Sequence, residues 1–368
     1  MLNLLAACIA VQTSTLDPTL LPPETDTGGT KIDTGGSTTP TPPSTVSGCA
    51  AVTGTRAVWL IDRADPTKVV KPVQPPVSTE VTWDLSGPDA LGRLYLLDQS
   101  KGEGLRILRS DDGGCSWQLT GRAPSEFIEQ ELYSSPASPR LYIRYSYELY
   151  VSEDGGVSFA LVSNAAPRAP IRVLGGSPDR LWSYDQENVV YSPDGGTTWL
   201  LEQLLPIPGN GTSFDESDPP RAASGGEQVQ VWNGATWDVL ASGLLSYGMP
   251  MWEPGGALAV MVVAEVGGGK YLLRSEDGIA PLADVGWGPA PFEESIRLVA
   301  VDGGALSSAG YLYDPTGEIW KGAYVTARTV DGVSVRHDAE AFDEVRGLLF
   351  TDTAVVAALQ VPLTEQPD

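Results

Sequence analysis

His337 is the only histidine of the chain, and Asp338 follows it directly. A histidine held by a carboxylate is the base of a nucleophilic active site, which also needs a nucleophile on the other side of the imidazole ring. The chain has no Gly-x-Ser-x-Gly turn that would present a serine. One histidine and three scattered cysteines do not build a typical zinc site. We therefore expect neither a catalytic role for His337 nor a bound metal or cofactor.

The tetrapeptide Asp-Thr-Gly-Gly occurs twice, at 26–29 and 33–36, and resembles the signature of the aspartic proteases. That chemistry requires two aspartates that come from two folded lobes and share one proton. Here both copies fall within residues 12–47, which contain no aromatic residue and are rich in Thr, Pro, Gly and Asp. This composition is typical of a disordered, extended tether, so a protease is not expected.

The chain begins with a short apolar run that ends in Leu5-Ala6-Ala7-Cys8. This end resembles the lipobox of bacterial lipoproteins, which implies that Cys8 is lipidated and becomes the mature N-terminus. Seven residues without a Lys or Arg are too short for a signal peptide, so either the start codon lies further upstream or the apolar start is fortuitous. We expect a truncated lipoprotein-type signal at 1–8, a disordered stalk at 9–47 and a globular domain at 48–368, displayed on a bacterial envelope or secreted.

The composition favours a globular all-β domain that is soluble outside the cell. The chain has 41 Gly and 30 Pro, which indicates many turns, and its hydrophobic content of 42% is enough for a large core. Its 47 acidic and 23 basic residues give a net charge of -24, which argues against nucleic-acid binding. No stretch approaches the ~20 apolar residues of a membrane-spanning helix. We expect a monomer whose only membrane attachment is the lipid.

One sequence motif recurs three times along the chain: SDDGGCSW at 110–117, SEDGGVSF at 152–159 and SPDGGTTW at 192–199. Their final aromatic residues are 42 and 40 residues apart, about the length of a four-stranded propeller blade. We expect the Ser and Asp side chains to bond backbone N–H groups across a tight turn, Gly to supply a positive φ, and the aromatic ring to pack on its own hairpin. The structural positions are Ser110, Asp112, Gly114, Trp117, Ser152, Asp154, Gly156, Phe159, Ser192, Asp194, Gly196 and Trp199.

This frame resembles the Asp box of sialidases, sortilin, xyloglucanases and the photosystem II assembly factor. The resemblance implies a β-propeller in which each box lies on the turn between the third and fourth strands, away from the ligand-binding face. It implies little about function, because these relatives share little chemistry.

Further blades are predicted from partial copies of the box at 233–237, 275–278 and 317–320, which give six boxes in a row. A seventh blade then comes from the two ends of the chain. Residues 57–61 and 68–70 read as third and fourth strands, and 345–351 and 354–361 read as the missing first and second strands. Joining them closes a ring and removes exposed edges. The sequence therefore predicts a seven-bladed β-propeller.

Function is expected on the loops opposite the boxes, at 206–211, 247–252, 287–294 and 326–342. Aromatic and charged side chains there suit sugar or protein recognition, and packing at a blade edge is the alternative for each. The side chains to consider are Trp252, Trp287, Phe292, Glu293, Glu294, Arg336 and His337.

A sialidase-like glycoside hydrolase is the enzymatic alternative. The resemblance implies three arginines on the substrate carboxylate, a Tyr/Glu nucleophile pair and an Asp acid. Arg93, Arg140 and Arg180 lie on three blades, but they occupy one repeated position at the start of the second strand, which indicates a structural role. The Arg-Ile-Pro motif of those enzymes is absent. The sequence therefore favours a non-catalytic binding or scaffold propeller that recognises a protein or a glycan.

With Cys8 lipidated, Cys49 and Cys115 remain as an even pair in an oxidising compartment. Cys115 lies in a box, whereas Cys49 leads into a strand that starts at the opposite face, roughly 20 Å away for a strand of about six residues. A disulfide therefore requires the segment before that strand to run back toward the box, and the pairing stays open at this point.

Overall fold

The computed structural model describes residues 46–74, 80–100, 104–124, 130–185, 188–204, 211–215, 217, 219–226, 228–232, 236–242, 250–253, 255–263, 270–279, 282–284, 294–313 and 320–360. The predicted signal and the predicted stalk up to residue 45 lie outside these ranges. Among the described residues, no helix has the length and apolar character needed to cross a bilayer. The described chain is nearly all β, with one 3-10 turn at Val46–Gly48.

The strands form seven four-stranded antiparallel sheets, each of which is one blade of a β-propeller. The first strands along the chain are β1 (Val58–Asp62) and β2 (Val69–Val70). Blades 1 to 3 contain β3 (Glu80–Ser86), β4 (Leu94–Ser100), β5 (Gly104–Ser110) and β6 (Gln118–Arg122); β7 (Gln130–Ser135), β8 (Ser138–Tyr145), β9 (Glu148–Ser152) and β10 (Ala160–Ser163); and β11 (Arg172–Leu174), β12 (Arg180–Asp185), β13 (Asn188–Ser192) and β14 (Leu200–Leu204).

The remaining strands complete the ring. Blades 4 to 6 contain β15 (Gly211–Phe214), β16 (Ala222–Gly225), β17 (Gln228–Trp232) and β18 (Trp237–Ser242); β19 (Pro250–Trp252), β20 (Leu258–Val263), β21 (Lys270–Ser275) and β22 (Ala283–Asp284); and β23 (Glu294–Asp302), β24 (Ala305–Tyr313), β25 (Trp320–Arg328) and β26 (Ser334–Ala339). Blade 7 consists of β27 (Glu344–Phe350), β28 (Ala354–Gln360), β1 and β2.

Blade 7 is built from both ends of the chain, as the sequence predicts. Strand β1 pairs with β28, with Val58 opposite Ala358 and Asp62 opposite Ala354. The first strand of this blade, β27, also contacts the first strands of blades 1 and 6. The predicted seven-bladed ring, closed by the N-terminal and C-terminal strands, is therefore confirmed.

The core lies between neighbouring blades. The second strands are buried along most of their length, and all seven residues of β28 and all five of β1 are buried. Between blades 7 and 1, Leu60 and Val356 pack against Leu94 and Leu96. The fourth strands form the rim, and β6 has no buried residue. The middle strands of the blades therefore carry most of the core, whereas the fourth strands lie at the rim.

The three box segments 110–117, 152–159 and 192–199 each join a third strand to a fourth, and we call them the box turns. In each, a serine hydroxyl donates to the following aspartate at 2.8 Å. The same oxygen accepts from the second glycine N–H at 2.7–2.8 Å. In the first turn, Gly114 has φ +99°, and an added Cβ would lie 2.8 Å from the Leu60 side chain. The repeated bonds explain why Ser, Asp and Gly recur at fixed spacing.

The partial copies have different outcomes. Ser275 donates to Asp277 at 3.2 Å on the turn after β21, as expected for a worn box. Residues 233–235 lie outside the described ranges. The predicted copy at 317–320 is wrong, because Trp320 begins β25, the third strand of blade 6. The turn of that blade joins β25 to β26, where Thr329 donates to Asp331 and accepts from the Val333 N–H at 3.1 Å.

The segment 49–55 crosses from blade 7 to blade 1, and we call it the strap. Val52 donates to Lys71 O at 3.1 Å on blade 7, and Thr53 donates to Cys115 O at 2.9 Å on blade 1. Cys49 forms a disulfide with Cys115, with their Cα atoms 5.7 Å apart. The strap thus runs from the box turn toward the start of β1, which is the path that the disulfide requires.

Candidate functional site

Trp252 is not on a loop of the face opposite the box turns, where the sequence places it. It is the last residue of β19, a first strand that runs toward the box face and ends there. The guanidinium of Arg221 lies 4.5 Å from the Trp252 ring centroid, and the ring lies against Gly278. The side chain therefore packs at the seam between blades 4 and 5.

Arg336 and His337 are likewise not in a loop. They belong to β26, the rim strand of blade 6, so the predicted loop at 326–342 is wrong. Arg336 Nε donates to Asp338 at 2.6 Å, and His337 Nε2 donates to the Pro66 carbonyl on blade 7 at 2.7 Å. Burial lowers the pKa of the His337 imidazole. The His337 contact joins blades 6 and 7, whereas the Arg336 contact lies within β26.

Of the other predicted ligand-binding residues, Trp287, Phe292 and Glu293 lie outside the described ranges, and Glu294 begins β23. That these four side chains take part in ligand binding therefore stays a prediction.

Arg93 and Arg140 hold neighbouring blades together near the box turns. Arg93 Nε donates to Asp89 at 2.6 Å, and its Nη2 donates to the Pro139 carbonyl of blade 2 at 2.6 Å. Arg140 Nη1 lies 3.1 Å from Oδ1 of Asp179, a fully buried residue of blade 3. Both arginines are thus engaged with groups of their own protein at the box face.

Each of these aspartates also anchors a buried tyrosine. Tyr95 donates to Asp89 at 2.8 Å, and Tyr142 donates to Asp179 at 2.9 Å. Burial and the nearby carboxylate raise the pKa of both phenols, which therefore remain protonated donors. The repeated Arg-Leu-Tyr sequence is explained by this shared carboxylate.

A second polar cluster, which the sequence analysis missed, lies on blade 2 at the ends of β7 and β8 opposite the box turn. Tyr133 donates to Glu131, and Arg144 forms an ion pair with Glu131. Arg144 Nε also donates to the Tyr133 hydroxyl at 3.1 Å, and its Nη1 donates to the Ser146 carbonyl at 3.3 Å. Burial is the main cause that raises the pKa of the Tyr133 phenol, and the charge of Glu131 raises it further. The three side chains therefore satisfy one another.

Asp84 connects the first strands of blades 1 and 2. Its Oδ2 accepts from the Leu132 N–H at 2.7 Å, and its Oδ1 accepts from the Leu85 N–H at 2.8 Å. Burial raises the pKa of this carboxyl to about 7, although the two backbone bonds lower it. A carboxyl with this pKa is partly protonated at neutral pH.

A cavity of about 350 Å³, which we call the seam cavity, lies between blades 7 and 1. Arg106 on β5 donates twice to Asp98 on β4, each time at 2.9 Å. Arg56 donates to the Gln74 amide oxygen at 2.8 Å. The walls consist of Val52, Thr53, Gly54, Thr55, Arg56, Val73, Gln74, Asp98 and Arg106.

A second cavity, of about 520 Å³, lies between blades 6 and 7 on the box face. Asp62, Asp331 and Asp352 lie in its wall together with Arg63. Arg63 forms an ion pair with Asp302 and donates to the Thr351 carbonyl at 3.3 Å. Within the part of the chain that the structure describes, no three acidic, His or Cys side chains are arranged to hold a metal ion.

No protein-family model and no curated protein matches the chain. Among solved structures it is similar to YCF48 bound to D1 peptide, with 12% identity, coverage of 85% of this chain and 99% of that chain, and a TM-score of 0.49. It is also similar to YCF48 from Cyanidioschyzon merolae, with 13% identity, coverage of 83% of this chain and 98% of that chain, and a TM-score of 0.49. For the GH74 xyloglucanase from Xanthomonas campestris the identity is 15%, the coverage is 68% of this chain and 45% of that chain, and the TM-score is 0.44. Identities this low do not indicate a shared activity.

Proposed function

We propose that the protein is a non-catalytic binding propeller of the Asp-box type, which recognises a protein or a glycan with the face opposite the box turns. The observation that carries this proposal is the engagement of Arg93 and Arg140 at the box face. A glycosidase of the sialidase kind needs arginines held for the substrate carboxylate, and these two are bound to carboxylates and carbonyls of their own protein.

Membership of the Asp-box family is supported by the box turns themselves. The three turns share the serine-to-aspartate bond and the glycine-to-serine bond. Hydrogen bonds from Ser158 lower the pKa of Asp154 to about 2, so this aspartate acts as an ionised acceptor. These interactions lie within the turn and serve the fold.

We also propose that Cys8 carries a lipid and that residues 9–47 tether the propeller to a bacterial envelope. A flexible stalk of this length has a root-mean-square reach of about 35 Å, enough to hold the ring clear of a lipid surface. Expression with an upstream signal and labelling with a fatty-acid analogue tests this. Label should enter the wild-type protein and not the Cys8→Ser variant, and label in both would overturn the anchor.

The sialidase-like alternative has one observation in its favour, the bond from Tyr133 to Glu131 beside Arg144. Against it, burial raises the pKa of the Tyr133 phenol, and each nitrogen of the Arg144 guanidinium already has a partner. A nucleophilic tyrosine needs a lowered pKa, because the phenolate is the attacking species.

The test combines turnover and binding on the intact protein. Fluorogenic sialosides and a broad glycoside panel measure turnover, while a glycan array and a pull-down from envelope extract measure binding. Saturable binding without turnover supports the proposal. Turnover that disappears in Tyr133→Phe but persists in Tyr150→Phe overturns it. Tyr150 is a matched control because it donates to Glu148 at 2.8 Å on β9 in a similar Tyr–Glu pair.

A further inference from the structure

We propose that Tyr147 and Arg168 form the contact site for a protein partner, which binds there through an acidic side chain that stands next to an apolar one. This inference rests on the proposed function, because it names the partner class of a binding propeller. The site lies at the seam between blades 2 and 3, on the face opposite the box turns.

Two loops of that face meet at this site. Tyr147 lies on the turn at 146–147 between β8 and β9, and Arg168 lies in the connection from β10 to β11, which leads from blade 2 to blade 3. The Ala166 N–H donates to the Tyr147 carbonyl at 2.8 Å and joins the two loops. The Arg168 guanidinium lies 4.2 Å from the Tyr147 ring centroid. The two loops therefore present one surface.

The loop that carries Arg168 is anchored on both sides of it. Ala166 is 1% exposed and packs in the core between blades 2 and 3. The hydroxyl of Ser183, a fully buried residue, donates to the Pro170 carbonyl at 3.0 Å. Pro167 and Pro170 fix the backbone φ angle on either side of the arginine. The segment is therefore already ordered before a partner binds, which lowers the entropic cost of binding.

The turn that carries Tyr147 is held by a buried arginine. Among the described residues, Ser146 is the only one other than glycine with a positive φ, at 52°. Non-glycine residues rarely adopt this conformation, and it costs free energy. The Ser146 carbonyl accepts from Arg144 Nη1 at 3.3 Å, and Arg144 is itself bound to Glu131 and Tyr133. The polar cluster of blade 2 thus stabilises a strained turn whose tip is an exposed aromatic residue.

Burial does not account for the tyrosine and the arginine. Tyr147 is 48% exposed, and Arg168 is also exposed. Within the described part of the chain, the Arg168 guanidinium contacts the Tyr147 ring and no carboxylate. This lack of a carboxylate is notable in a chain with 47 acidic and 23 basic residues. Arg93 and Arg140, by contrast, are bound to aspartates of their own protein. The charge of Arg168 is therefore available to a partner.

A guanidinium that is stacked on a ring is suited to a carboxylate. Its N–H groups lie in its own plane, so the contact with Tyr147 covers a face and leaves the edges for a bidentate pair of bonds. Tyrosine and arginine are also enriched among the residues that dominate the energy of protein interfaces. We therefore place an acidic side chain of the partner at Arg168.

The surroundings of this site favour a protein over a glycan. Residues 165–170 read Ala-Ala-Pro-Arg-Ala-Pro, so Arg168 is the only polar side chain of this stretch. A sugar would lose hydrogen bonds to water here without replacing them, whereas an apolar side chain gains by covering Tyr147, Ala165 and Pro170, which are all exposed. The net charge of -24 disfavours a strongly acidic partner, so we expect one carboxylate with apolar neighbours.

The experiment is the selection of a random heptapeptide library on the immobilised intact protein, with a parallel selection on Arg168→Met. We expect the peptides enriched on the wild type to carry an aspartate or glutamate next to a large apolar residue. The selection on Arg168→Met should lose this pattern, because methionine keeps part of the side-chain volume and removes the charge. Fluorescence polarisation of the enriched peptides, labelled with a dye, then measures their affinities.

Further variants separate charge from geometry. For the enriched peptides, Arg168→Met should weaken binding at least about tenfold, and Arg168→Lys about fivefold, because an ammonium keeps the charge without the bidentate pair. Tyr147→Leu should weaken binding about threefold through loss of the ring. Arg122→Met, which removes an exposed arginine from β6, is the matched control and should bind as the wild type does. All four variants should melt as the wild type does, because these side chains are exposed.

The proposal is overturned if the peptides enriched on the wild type are no richer in acidic residues than the library, if they bind Arg168→Met equally, or if no peptide is enriched. A glycan that binds the wild type on the array and does not bind Arg168→Met would also overturn it, since the ligand would then be a sugar. These failures are distinct from failure of the proposed function. A wild-type protein that binds on the array or in the pull-down, and binds equally as Arg168→Met, remains a binding propeller with another site.

Discussion

Leu60 of β1 lies opposite Val356 of β28, so a residue near the start of the folded chain and one near its end are neighbours in a single sheet. Both side chains are 1% exposed or less, and both pack against blade 1. The pair therefore belongs at once to the closure of blade 7 and to a seam between blades.

Removing side-chain volume at this closure should destabilise the whole ring. We expect Val356→Ala to lower the free energy of unfolding by about 2 kcal/mol, because the seam cannot collapse around the lost methyl groups. Val239→Ala is the matched control, since Val239 is 53% exposed on a rim strand, and it should change stability by less than about 0.5 kcal/mol. Urea unfolding measures both, and equal effects would contradict the closure.

The disulfide between the strap and the box turn of blade 1 should also stabilise the folded protein. Cys49 and Cys115 are 66 residues apart, so the bond restricts a long loop of the unfolded chain. We expect Cys115→Ser to lose about 2–4 kcal/mol of stability, and reductant to cause a similar loss in the wild type only. Alkylation of non-reduced protein followed by mass spectrometry tests the bond directly, and two labelled thiols would disprove it.

Asp84 should make stability depend on pH in the direction opposite to most aspartates. Its pKa is raised to about 7 in the folded protein, so the stabilising protonated form is lost as pH rises from about 4 through 7. The difference between these pKa values corresponds to a loss of stability on the order of 4 kcal/mol across this pH range.

The check is the melting temperature between pH 4 and pH 8 for the wild type and Asp84→Asn. The variant should lack most of the decline seen in the wild type over this range. Asp154→Asn is a suitable control, because Asp154 has a lowered pKa of about 2 and contributes to stability only above that value. A wild type whose stability is flat from pH 4 to pH 8 would rule out the raised pKa of Asp84.

The box turns could be predicted because their hydrogen bonds connect residues within one short segment. In blade 6, the box of Thr329 and Asp331 has no final aromatic residue, and strands of nine residues displace it from the expected spacing. The Gly and Trp that stand at the usual interval instead lie at 317–320, and Trp320 begins a strand.

The polar clusters could not be predicted, because each combines residues that only the strand register brings together. Arg144 meets Glu131 because β7 and β8 pair these residues, and Asp84 meets Leu132 because two blades are adjacent. No contiguous motif records either contact. The same reason misplaced Trp252, since its position depends on the direction of β19 and not on its neighbours in the sequence.

The pairing of Arg140 with Asp179 separates the structural from the enzymatic interpretation of the repeated arginines. Asp179 is fully buried, so Arg140→Met would leave its charge without a cation, and we expect a loss of about 3 kcal/mol. Adding Asp179→Asn should restore part of this stability, whereas Arg122→Met, an exposed arginine on β6, should be nearly neutral. Denaturant unfolding of the wild type, Arg140→Met, Asp179→Asn and the double variant gives the coupling between the two side chains. An Arg140→Met variant as stable as the wild type, but with altered ligand binding or turnover, would mean that this arginine serves a substrate after all.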